Sequence, residues 1–183
     1  VSNILIIGGF LMKLGDGDRY WSLSQRFTDT GHEVRLRTCL QDHDSDRVTI
    51  DDLLWADVIV AYSYGVASTW ELRKQNLDQI QAAGKRWKLW IVVTGVPDAM
   101  FGQLYPDLWH AQPEVGRTIL FDVISVPVSC GLQSDHTTIH LGEPMPTDGD
   151  VQIDCNWLGL SHTTIKDDDR VLDAIFTAAG GQE

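Results

Sequence analysis

The chain has 183 residues, a formal net charge of −12 and a pI near 4.7. Its length suits a single domain spanning 1–183 around one sizeable core, and 43% hydrophobic content is ordinary for a soluble globular protein. The acidic balance argues against nucleic acid or an anionic membrane as a partner held by a basic surface, and no apolar run approaches the ~20 residues of a membrane span. Val1-Ser2-Asn3-Ile4 has neither a basic region nor a cleavage site, so it does not read as a secretory signal. Cys39, Cys130 and Cys155 lack metal-ligand spacing and cannot all pair, which reads as reduced, mostly buried thiols in a cytoplasmic protein.

In chain order, Asn3–Ile7 is an apolar run predicting a first buried strand, and Gly8-Gly9-Phe10 lets the backbone turn at its end. Asp16-Gly17-Asp18 reads as a turn. Trp21, Leu23 and Phe27 give residues 20–30 a helical stripe closed by Gly31. Alternation predicts a second strand over Glu33–Arg37, and the polar stretch 41–47 reads as a loop. Thr49 or Asp51 is placed to cap a short helix ending at Trp55.

Val58-Ile59-Val60 is a β-branched run, as in a strand buried on both faces. It stops at Ala61-Tyr62-Ser63-Tyr64-Gly65, and residues 66–83 read as a helix closed by Gly84. One serine therefore sits at a tight strand-to-helix turn between small residues at 61 and 65. Residues 88–94 predict another buried strand. The Pro-, Gly- and aromatic-rich stretch 95–115 reads as a long irregular excursion of the kind that walls a ligand site. A further strand is expected within 118–128, where Pro127 ends it or forces it to an edge. Residues 129–150 read as a loop, with room for a short hairpin. Val151–Cys155 reads as the last strand, 158–162 as a loop and 167–179 as the last helix, its start crowded by Asp167, Asp168 and Asp169. Strand–helix alternation predicts a three-layer α/β/α fold with a mostly parallel sheet of five or six strands. In such sheets functional groups collect beyond the strands' C-terminal ends.

A serine hydroxyl becomes a competent nucleophile when a base takes its proton. Of the six histidines, His162 is best placed, between the last predicted strand and the last helix. His136 and His140 read as surface loop residues. The glycines at 8 and 9 do not extend into a phosphate-binding motif, and no His, Cys, Asp or Glu spacing suggests a metal.

Ile-Ile-Gly-Gly-Phe at 6–10, Ala-Tyr-Ser-Tyr-Gly at 61–65 and Gly-Leu-Ser-His at 159–162 stand in an order that resembles a small, lidless α/β-hydrolase of the minimal esterase or lipase sort. Ala61 departs from the usual G-x-S-x-G, in which the first position is glycine. The resemblance implies Ser63 as nucleophile at a nucleophile elbow and His162 as general base. It also implies an oxyanion hole built from the N–H of Tyr64 and that of Phe10 or Gly9. For the triad acid it points first to Asp135, with Asp148 and Asp150 as alternatives, while Asp122 falls early. The implied activity is cleavage of an ester or related acyl bond in a small molecule, with no cofactor. Two other readings stay open: a binding protein that kept this fold without turnover, and a Rossmann- or flavodoxin-like ligand binder in which Ser63 lines the site. Trp109 and Trp157 lie in predicted loops where they would contact a substrate.

Overall fold

Short β-branched runs separated by helices bury both faces of every central strand only when the helices lie on each side of a parallel sheet. A computed structural model has this arrangement; it describes residues 1–10, 12, 19–40, 42–93, 112–123 and 135–180. Within these residues the strands are β1 (Asn3–Ile7), β2 (Glu33–Arg37), β3 (Val58–Tyr62), β4 (Leu89–Val93), β5 (Thr118–Asp122), β6 (Thr137–His140) and β7 (Val151–Asp154). The helices are α1 (Arg19–Asp29), α2 (Ile50–Trp55), α3 (Tyr64–Gln75), α4 (Leu77–Ala82) and α5 (Asp169–Ala178), with 3-10 turns at Asn156–Leu158 and Ile165–Asp167.

All the described strands run parallel in one open sheet ordered β2-β1-β3-β4-β5-β7-β6. Successive residues point to opposite faces. Ile4, Ile6, Val58, Val60, Ile91 and Phe121 join Tyr20, Leu23 and Phe27 of α1 and Val171, Leu172 and Ile175 of α5. Leu5, Ile7, Ile59, Ala61, Val92 and Leu120 join Leu53 of α2, Val66 and Trp70 of α3 and Ile80 of α4. The result is a three-layer α/β/α molecule.

Local chemistry fixes several boundaries. Thr49 caps α2 in a reciprocal box with Asp52. The helix expected over 66–83 is two helices, because Asn76 turns its side chain back to donate to the Leu72 carbonyl (2.8 Å) and leaves helical geometry. The sheet has one strand more than the upper expectation. The addition is β6, in a stretch read as loop with room for a hairpin, and it pairs parallel to β7. As an edge strand of four residues that stays largely exposed, it carries Thr137-Thr138-Ile139-His140 rather than an apolar run. Residues 95–111 of the 95–115 excursion, the turn 16–18, Pro127, Cys130 and Trp109 lie outside the described residues.

From β1 the chain first lays β2 on one side and then returns to lay β3 on the other. The reversal puts the topological switch point at the C-terminal ends of β1 and β3. Gly8-Gly9 and Tyr62-Ser63 end there.

Candidate active site

Ser63 follows the last residue of β3 and precedes the first of α3, and the chain reverses there within one residue. Its backbone sits at φ 53° and ψ −119°; among the described residues it alone has positive φ without being glycine. Such a conformation costs on the order of 1–3 kcal/mol and persists when the surroundings over-determine it. Here the Ser63 amide donates to the Val93 carbonyl (3.0 Å), and its carbonyl accepts from Val66 (3.0 Å) as α3 begins. Close backbone packing completes the restraint. A methyl at Gly65 would lie 2.7 Å from the carbonyl oxygens of both Ile7 and Gly8, so α3 starts hard against the end of β1. Ala61 occupies the position usually given to glycine, and its methyl is fully buried in the core under α3.

His162 reaches Ser63 from the far side of the sheet. After β7 the chain makes a 3-10 turn closed by Gly159 at φ 69°. A second turn follows, in which Ser161 and Thr164 exchange backbone-to-hydroxyl bonds (2.8 and 3.3 Å). Ile165, fully buried, pins that turn to the core. The imidazole Nε2 then lies 3.0 Å from Ser63 Oγ. This is within reach for transfer of the serine proton. Ser63 is buried and His162 half-buried, so the pair is largely shielded from solvent.

A third residue joins them. The Tyr62 hydroxyl donates to the His162 backbone carbonyl at 2.5 Å, and its ring stacks on the imidazole with centroids 5.4 Å apart and planes 24° apart. Burial, with the Asp167 carboxylate nearby, pushes the Tyr62 hydroxyl up to about 12. It stays a donor at any ordinary pH. Nothing in the local residue pattern singles out Tyr62 beyond its place beside Ser63.

The loop after β1 crosses the same spot. A methyl at Gly9 would meet the Tyr62 ring at 3.0 Å and Ser63 Cβ at 3.2 Å, so the backbone passes directly over the serine. The Gly9 amide donates to Met12 Sδ (3.4 Å). Phe10 is 49% exposed and its ring lies 5.6 Å from that of Tyr64. Tyr64 opens α3, which aims the positive end of the helix dipole at Ser63.

Asp135 is not brought to this cluster. It precedes β6, whose first amide, on Thr137, donates to the Asp150 carbonyl at the start of β7. Asp135, Asp148 and Asp150 therefore lie at the N-terminal edge of the sheet, roughly 15 Å of strand from the edge that carries Ser63. Asp150 has a different task, accepting from the Thr118 amide (2.9 Å). A loop with a short hairpin over 129–150 would leave Asp135 at the edge of His162, whereas β6 carries the chain from one edge to the other. Asp122, set aside as too early, ends β5 at the same edge as the site, buried, with Gln152 Nε2 donating to its Oδ2 (3.0 Å).

Cys155 also lies near this edge. Burial and the carboxylates of Asp154, Asp122 and Asp168 push its thiol up to about 12, far from a thiolate nucleophile. Trp157 is 59% exposed and its ring packs edge-on against His140, beyond β7 rather than over Ser63. Among the described residues no three His, Cys, Asp or Glu side chains gather as a metal-binding set, and no helix is long and apolar enough to cross a membrane. No protein-family model matches the chain, and no curated protein matches it.

Proposed function

We propose that the protein is a serine hydrolase that cleaves an ester or related acyl bond. The observation that carries this reading is the 3.0 Å contact between Ser63 Oγ and His162 Nε2 at a strained strand-to-helix turn. Ser63 Oγ attacks the substrate carbonyl carbon while its proton passes to His162 Nε2. The carbonyl oxygen becomes an oxyanion, stabilised by the N–H of Tyr64 at the positive end of α3 and by one N–H from the loop after β1. The Gly9 amide already donates to Met12 Sδ, which favours Phe10 as the second donor. Each such donor is worth about 3 kcal/mol in the transition state. The intermediate collapses, His162 gives its proton to the leaving oxygen, and the acyl group stays on Ser63. Water then attacks the acyl carbon, with His162 taking its proton and returning it to Ser63 Oγ as the acid departs. Phe10, exposed beside Tyr64, offers an apolar contact to the substrate.

The placement of Asp135, Asp148 and Asp150 favours a second reading, a protein that holds a small ligand at this edge without turnover. Hydrolysis of p-nitrophenyl acetate and butyrate separates the two. A burst of one nitrophenolate per chain followed by steady turnover is expected, with kcat falling at least ~10³-fold in Ser63→Ala and in His162→Ala. A folded wild type that gives neither burst nor turnover would favour the ligand-binding reading.

A further inference from the structure

The base of the proposed hydrolase sits on an irregular turn after β7, and the nucleophile sits at the end of β3, with β4 and β5 between the two strands in the sheet order. A misplacement of 1 Å between such groups can cost ~10²-fold in rate. Something must hold the turn against the strand end. We propose that Tyr62 is a positioning residue for the proton transfer, its hydroxyl tying the His162 backbone and its ring fixing the plane of the imidazole. The inference rests on the hydrolase reading above. It goes beyond it by naming what sets the Ser63–His162 distance.

Tyr62 is well suited to the task. It is adjacent to Ser63, so any tie it makes is referenced to the nucleophile itself. Its ring is held on its other sides by Tyr20 (centroids 6.0 Å) and by the Gly9 backbone, where a methyl would come within 3.0 Å. The ring therefore has little freedom, and neither has the imidazole stacked on it. The hydroxyl bonds the backbone of residue 162, not its ring, so Nε2 stays available to Ser63. With its hydroxyl pushed up to about 12, Tyr62 keeps this bond through the whole range in which an imidazole titrates.

The test is inactivation by a fluorophosphonate, resolved into kinact and KI, for wild type, Tyr62→Phe and Tyr62→Leu, alongside the His162 imidazole proton resonance. Tyr62→Phe removes one oxygen and keeps the ring. It should lower kinact about tenfold, leave KI within twofold and displace the imidazole resonance. Tyr62→Leu, which also loses the ring, should be slower still. Loss of folded protein shows as a smaller labelled fraction, so a reduced fraction at wild-type kinact overturns the proposal, as does full labelling at wild-type kinact. A wild type that does not label defeats the hydrolase reading instead. The resonance then decides: displaced in Tyr62→Phe, it upholds the tie; unmoved, it overturns it.

Discussion

Backbone conformation at a single residue sets where the Ser63 hydroxyl points. With φ at 53° and ψ at −119°, its side chain projects from the outside of the turn toward His162. Glycine adopts this backbone without the steric cost that a Cβ imposes. Ser63→Gly should therefore be more stable than Ser63→Ala by about 1 kcal/mol, despite glycine's larger loss of backbone entropy. Both should be inactive. Chemical denaturation of the two variants measures the difference, and a Ser63→Gly protein less stable than Ser63→Ala would mean that the turn is unstrained. Serine at such a position keeps a hydroxyl at a cost in stability, a trade expected of functional sites. At this scale the sequence was informative where chain chemistry is local. Small residues around a serine after an apolar run marked the turn. It was silent about Tyr62, because a tyrosine's partner one hundred residues away leaves no trace in local pattern.

The start of α3 and the end of β1 meet at the site through backbone contact. The start of α3 lies against the carbonyls of Ile7 and Gly8, with no room for a methyl at 65. Gly65→Ala should cost about 1–3 kcal/mol, as overpacking does, and should push α3 off β1, lowering activity more than binding. Thermal denaturation together with kcat and KM checks both parts, and an unchanged melting temperature would contradict the packing. The central strands are legible because burial on both faces writes a continuous apolar run, as in Val58-Ile59-Val60 and Leu89-Trp90-Ile91-Val92-Val93. The edge strand β6 is not, since an exposed strand needs no such run. That one omission misplaced the expected acid. With β6 unrecognised, Asp135 fell on the same side of the sheet as His162, whereas a strand's length separates them.

Over the whole molecule, acidic groups outnumber basic ones, yet some carboxylates are tied closely to arginine. Asp52, 2% exposed, accepts from Arg35 (3.1 Å), Arg37 (2.9 Å) and Thr49, joining edge strand β2 to α2. Burial alone would push its carboxyl up, but the bonds from Arg37 and Thr49 outweigh burial and hold it below the ordinary carboxylate range. Glu114, bound by Arg73 (2.8 Å) against the same opposition from burial, is likewise held below its ordinary range. A carboxyl lowered in the folded state stabilises the fold above its ordinary value and ceases to as pH falls through the folded one. Stability should therefore drop below about pH 4. Asp52→Asn should flatten that decline by up to ~1.4 kcal/mol per pH unit. Denaturant titrations between pH 3 and 7 measure it (both limits roughly bracket the ordinary carboxyl range), and an unchanged slope would contradict the role given to Asp52. The same architecture that these pairs hold together sets the switch point between β1 and β3, where Ser63 and His162 meet. Whether this serine is activated is read by labelling the intact protein with a fluorophosphonate and locating the label by mass spectrometry. Modification is expected at Ser63, abolished in Ser63→Ala and strongly slowed in His162→Ala. A folded wild type left unmodified, or modified elsewhere, would contradict it.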